Sequence, residues 1–374
     1  MNISGKNWSR RTILVASLSA LCAAFVGCGG TDSQGGGSGE TSTDATSMWQ
    51  EGRRLTFGLD GSKVDSKRGV ELLQKAADAG SLDAQADLAT IYDWPDEFAP
   101  MIARDEKKAI ELALKPAEAG NPFAQLVLIE AFPEDVGGEE LRAKYSKTVL
   151  GELEKRAEKG DAHAKLWIGR IMHIGGEAYG IQQPDIQQPD REKAKRYLVE
   201  AVESGSAEAM SYLGRTGILS KYEPELSGLV ADKNEAMKYL QKAADANAVG
   251  ALMHYAECCL DGTVEQDSEK AVALLRRAAE QGSVSAKALL GVCYAEGLGV
   301  SIDKKKAFEY FLDAAKSEYA AEYERRGAMM KVGECYEEGV GVEEDKDEAR
   351  KWYHRAAAAG ALDADEALER LDAN

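Results

Sequence analysis

"YAEGLGVSID" spans residues 294–303, and "YEEGVGVEED" spans residues 336–345, 42 positions further on. Read alone, the first stretch places Gly297 and Gly299 just before a helix start, as many phosphate-binding loops do. The second copy argues against that reading. A phosphate loop is unique, follows a strand and usually ends in Gly-Lys-Ser/Thr. This stretch recurs and carries none of those marks. Gly297, Gly299, Gly339 and Gly341 read better as turn residues between two helices, and the question becomes how far the period extends.

The period is found by counting 15 positions from the Asp that follows each turn. Asp65, Asp105, Asp190, Asp267 and Asp345 lead to Gly80, Gly120, Gly205, Gly282 and Gly360. Asp232 leads instead to Asn247, Asp303 to Glu318, and Tyr145 stands where Gly160 calls for an Asp. About eight units therefore fall on one template. The Asp suits a helix N-cap, because its carboxylate accepts from the free N–H groups of the first turn. The Gly, or Asn247, suits the left-handed residue that ends a helix. Between them, apolar residues recur at helical spacing, as in Ala307, Phe311, Ala314 and Ala315. Upstream, Ala286, Leu290 and Tyr294 recur as Ala328, Val332 and Tyr336, with Gly291 and Gly333 where a second helix can approach. The unit is helix, glycine turn, capped helix. Neither helix can bury its face alone, so units must stack.

These residues carry a resemblance. "AKALLGVCYAEGLGVSIDKKKAFEYFLDAAK" (286–316) and "AMMKVGECYEEGVGVEEDKDEARKWYHRAAAAG" (328–360) resemble Sel1-like repeats, relatives of the tetratricopeptide repeat. The resemblance covers about residues 48–364 and is most specific in the last third. It implies an all-α fold, an α-solenoid of helix-turn-helix repeats over residues 48–374, with Asp365 to Leu371 as a polar closing helix. It also implies a scaffold or adaptor that binds another protein, with no cofactor and no small-molecule substrate. The alternative is an envelope structural protein that binds peptidoglycan or another polysaccharide. Exposed aromatics grouped on one face would favour glycan, and a charged or mixed concave face would favour protein.

Nothing in the residues points to catalysis or a metal. His163, His173, His254 and His354 show no metal-ligand spacing, and no Gly-x-Ser-x-Gly elbow exists. Cys258, Cys293 and Cys335 occupy one template position, so stacking should hold them about 10 Å apart, at the usual helix spacing. That is beyond disulfide reach. Some exported Sel1-like proteins carry paired cysteines in each repeat, and this sequence lacks the second member of each pair. Three turns are long: residues 93–104, 175–190 and 220–232. They should project from a common edge. "IQQPDIQQPD" (181–190) is a five-residue tandem duplication, either a harmless solvated loop or a partner contact.

The amino-terminal segment is addressing rather than fold. Lys6, Arg10 and Arg11 form a basic head, and Thr12 to Val26 is mostly apolar but short for a membrane span. It ends in "AAFVGC", which resembles the lipobox of bacterial lipoproteins; Val26, Gly27 and Cys28 match, and Phe25 stands where Leu is usual. The resemblance implies a signal peptide over 1–27, lipid on the Cys28 thiol, and a body held at a bacterial envelope membrane by that anchor only. "SRRTIL" (9–14) also resembles a twin-arginine export signal. Residues 29–47 are rich in Gly, Ser and Thr and read as a flexible leash with a reach of about 25 Å. The whole chain of 374 residues has a formal net charge of −18, and the segment removed carries only positive charges. Such acidity disfavours nucleic acid as a partner.

Overall fold

The computed structural model describes residues 39–373, apart from 133–137, 182, 184–185, 220–228, 264–265 and 318–321. The described residues contain no strand. First helices α1 (Gly39–Phe57), α3 (Leu82–Asp93), α5 (Pro122–Ala131), α7 (Ala162–Ile174), α9 (Ala207–Leu219), α11 (Val249–Leu260), α13 (Val284–Glu296) and α15 (Glu322–Glu338) begin the eight units in order. Second helices α2 (Ser66–Asp78), α4 (Glu106–Glu118), α6 (Val149–Glu158), α8 (Arg191–Glu203), α10 (Lys233–Asp245), α12 (Ser268–Glu280), α14 (Lys304–Ala315) and α16 (Lys346–Ala358) complete them. Helix α17 (Ala364–Ala373) closes the stack and buries Ala367 and Leu371. This is the α-solenoid that the period requires. No described helix is long and apolar enough to cross a membrane. Cys28 and the expected signal peptide lie outside the described residues.

The capping logic holds residue by residue. Asp65, Asp105, Asp190, Asp232, Asp267, Asp303 and Asp345 each accept a hydrogen bond from a first-turn backbone N–H of the helix they open. Each such cap is worth about 1 kcal/mol. Unit 3 departs from this. Tyr145 lies in an inserted helix, Gly138–Ser146, and α6 starts only after Thr148, which makes no side-chain cap. Its second helix is ten residues rather than thirteen.

The turn glycines answer the opening question. A Cβ on Gly299 would lie 2.1 Å from Ser268 O, and one on Gly341 would lie 2.0 Å from Lys304 O. Ser268 and Lys304 open the second helices of the preceding units. The glycines are there so that one backbone can rest on another. The first helices need the same closeness: a Cβ on Gly333 would meet the Tyr353 ring at 2.4 Å.

Three expectations change. Helix α1 starts at Gly39, inside the stretch read as leash, and Ala45 is buried. With no proline in 39–47, each added residue contributes one helical hydrogen bond once the turn is nucleated. The turn at 93–104 does not project freely: Phe98 and Ala99 are buried, and the Ser66 hydroxyl donates to Phe98 O at 2.7 Å. The turn at 175–190 is also built in. Ile181 and Ile186, one from each copy of the duplication, are buried in the core, and the Gln187 amide donates to Ile181 O and Gln183 O. The second copy ends in Asp190, the cap of α8. The duplication therefore supplies an apolar anchor and a cap rather than a solvated tip. Residues 220–228 of the third long turn lie outside the described set.

Cys258, Cys293 and Cys335 are buried and unbridged. Burial pushes the Cys258 thiol up to about 12, and those of Cys293 and Cys335 up to about 11.

Two outcomes follow. Ile186→Asp places an unpaired charge in the core and should cost on the order of 3 kcal/mol, read as a lower denaturation midpoint. Alkylation of the folded chain at pH 8 should leave these three thiols unmodified until denaturant is added.

Candidate interaction surface

First helices of neighbouring units pack against one another, and the row they form is termed the inner side. Phe57 of unit 1 stacks on His163 of unit 4, with ring centroids 4.3 Å apart. Arg53 of unit 1 pairs with Asp87 of unit 2 at 3.4 Å and with Asp161 of unit 4 at 2.9 Å. The Trp49 indole donates to Asp87 at 2.7 Å. Burial alone would strip the proton from Arg53, but Asp161, Asp87 and Asp83 outweigh it and hold the guanidinium charged. Burial pushes the Asp87 carboxyl up to about 6, against the pull of Arg53 and the indole. Burial keeps His163 neutral, well below its ordinary value. The Trp167 indole donates to His163 Nε2 at 3.1 Å, so the proton sits on Nδ1, which has no partner among the described residues. This cluster fills the inner side of the first four units.

One template position measures how the inner side changes along the chain. Two residues before the close-contact position stand Asp87, Val127, Trp167 and Tyr212 in units 2 to 5, all 5% exposed or less. In units 6 to 8 the same position holds His254, Leu289 and Lys331, all half-buried. Their neighbours Met253, Glu257, Val292, Met330 and Glu334 are half-buried as well. At this position the inner row is covered in units 2 to 5 and half-buried in units 6 to 8, whereas one residue past the close-contact position Glu130 is exposed and Arg170 and Arg215 are half-buried. In units 6 to 8 the row mixes flexible apolar side chains with charges of both signs. Methionine adapts to irregular partners. The aromatics Trp167 and Tyr212 lie under the surface of units 4 and 5 and offer no stacking platform.

A second buried charge sits at the end of α3. The Asp93 side chain is fully buried; Arg104 donates to its Oδ1 at 3.1 Å, and Oδ2 finds no partner among the described residues. Burial pushes this carboxyl up to about 7, with Glu130 adding to the effect and Arg104 opposing it. Among the described residues no group of three or more His, Cys, Asp and Glu could hold a metal ion. The two residues that sequence reading missed are Arg53 and Asp93. Their signal was a charge on a helix face otherwise apolar in register, which single-sequence reading cannot separate from a solvated face.

An inner row of first helices, an outer row of capped second helices and a stack of turns define a paired-helix repeat solenoid. Within that class the chain belongs to the Sel1 repeat family, whose profile matches residues 47–81, 82–121, 172–206, 207–247, 249–283, 284–319 and 327–360. The gap between matches, 122–171, takes in the third unit with its inserted helix and most of α7. The chain is 28% identical over 162 residues to the Sel1-repeat-containing protein YjcO of Escherichia coli K12, a match that covers 42% of this chain and 62% of that protein. Among solved structures, a Sel1 repeat protein from Oxalobacter formigenes is 25% identical, with a TM-score of 0.49 and 89% of both chains covered. The uropathogenic Escherichia coli protective antigen c5321, which displays an SLR fold, is 19% identical, with a TM-score of 0.36 over 88% of this chain and 80% of that one. Proteins built of such repeats generally mediate protein–protein interaction and are typically non-catalytic.

The buried carboxyls set a pH dependence. Asp93 and Asp87 titrate near 7 and 6 in the folded chain, against about 3.9 unfolded. The folded chain holds protons that the unfolded chain releases, so this stability is complete below about pH 4 and is lost as pH rises through 6 and 7. Neutral His163 acts in the opposite sense as pH rises to about 6.5, so the readout is the comparison: between pH 5 and pH 8 the urea midpoint of Asp93→Asn should fall less steeply than that of the parent.

Proposed function

We propose that this chain is a non-catalytic scaffold, tethered to a bacterial envelope membrane through lipid on Cys28, that holds another protein on the inner face of units 6 to 8. The observation that carries this reading is the change in exposure along one template position, from Tyr212 at 5% to half-buried His254, Leu289 and Lys331. A solenoid gains its binding surface from such an inner row. A face of Met253, Leu289, Val292 and Met330 set among Glu257, Lys331 and Glu334 suits a protein partner, since it offers apolar contact with charged rims. A polysaccharide-binding role would draw on exposed aromatic platforms, and among the described residues of the first helices of units 6 to 8 no aromatic is exposed. The motif at Val26 to Cys28 supports the anchor, and Gly29 rather than Asp after the cysteine suits onward sorting to an outer membrane.

The test isolates partners from membranes with the tethered protein as bait. Leu289→Arg should reduce recovery of the bound protein at least tenfold while the melting temperature shifts by only a few degrees, because the position is half-buried and surface changes cost little. Recovery unchanged in this variant would move the docking face elsewhere. Separately, Cys28→Ala should release the chain from the membrane fraction or leave the precursor uncleaved, and fractionation identical to the parent would remove the anchor from the reading.

A further inference from the structure

In a simple repeat stack each unit touches only its neighbours. This chain breaks that rule at the turn of unit 1. Gly61 N donates to Gly205 O at 3.1 Å, and Ala207 N donates to Gly58 O at 2.9 Å, both at the junction between units 4 and 5. Val64 N donates to Ala246 O at 2.8 Å, and the Asn247 side-chain amide donates to Val64 O at 3.1 Å, at the junction between units 5 and 6. The turn of unit 2 continues the line: a Cβ on Gly282, between units 6 and 7, would lie 3.0 Å from Met101.

We infer that the turn Gly58–Ser66 is an intramolecular clasp that docks on the junctions after units 4 and 5 and fixes unit 1 against them. The template glycines separate a clasp from incidental contact. Gly80 and Gly120 end their helices in the left-handed region, and a Cβ added to either would meet nothing within 4 Å. Gly205 has the same backbone, yet its Cβ would lie 2.3 Å from Gly61 N. Asn247 replaces the glycine at φ 69°, a conformation that Asn tolerates better than most residues. Its side chain uses both ends, donating to Val64 O and accepting from Arg277 Nη2 at 3.1 Å. A glycine there would end the helix equally well and leave Val64 O without its donor. The docking turn is shaped to match, with Gly58, Asp60 and Gly61 all at positive φ.

Behind the clasp lie Arg53, Phe57 and His163, the cluster that fills the inner side of the first four units. The inference stands apart from the identity or existence of a partner, because its readout is the chain's own amide exchange. In the full chain, the Gly61 and Val64 amides should exchange as slowly as those in α9, although both lie in a surface turn. Gly205→Ala should speed their exchange by about tenfold or more, as a local opening equilibrium requires. Gly80→Ala forces the same left-handed backbone on alanine in open space and should leave both amides protected. Asn247→Gly keeps the helix end without a clash and should speed exchange at Val64; it also keeps the question answerable if Gly205→Ala fails to fold. Fast exchange at Gly61 and Val64 in the parent overturns the clasp. So does equal acceleration in Gly80→Ala and Gly205→Ala.

Discussion

A carbonyl oxygen cannot share its space with a β-carbon, and the spacing of this solenoid descends from that exclusion. At Gly299 and Gly341 the turn of one unit lies directly on the opening residue of the previous second helix. Once that distance is set, the second helices must pack through small residues, and Ala307, Ala314, Ala349 and Ala356 are all buried. The helix starts are satisfied from within the same unit. The aspartate caps do this with a side chain of the preceding residue.

What was legible in the residues was what the chain decides locally. A cap and its N–H donors lie within one turn, and so do a helix end and its left-handed glycine. For this reason units 7 and 8 could be placed almost residue by residue from two quoted stretches. Unit 3 was harder, because it lacks the Asp and carries an inserted helix, and its cap fell at Thr148, three residues past Tyr145. The long turns were misjudged for a different reason. Polar glutamines and prolines in 181–190 look solvated, yet the duplicated isoleucines carry the segment into the core. The inner surface was the least legible part. Its exposure depends on curvature, which accumulates from small rotations between units and is written at no single position.

Charge within the inner row sorts by depth. In units 1 to 4, Arg53 is held by Asp87 and Asp161, and the aromatic rings of Phe123 and Trp49 lie 5.0 and 5.7 Å from its guanidinium. Ions this deep contribute little net stability unless every contact is in place; what they supply is a fixed register between helices of different units. In units 6 to 8 the charges are half-buried and paired locally, Lys331 with Glu334 at 2.6 Å and His254 with Glu257 at 3.2 Å. One row of equivalent positions is thus an internal joint in units 1 to 4 and half-buried in units 6 to 8.

Asn247 and Val64 are 183 residues apart in the chain. Repeat arrays usually fold by local contacts, nucleate anywhere and tolerate trimming at either end. A bond spanning half the chain changes that economy. Unit 1 cannot complete its contacts until the second helix of unit 5 has formed, so assembly carries the slow, long-range closure that high contact order imposes. Unit 1, the end of the array that is ordinarily most dispensable, is here packed against units 4 and 5. A truncation that begins at Leu82 would strip the cover from His163 and Phe123 in the middle of the molecule, rather than shorten the solenoid by one unit.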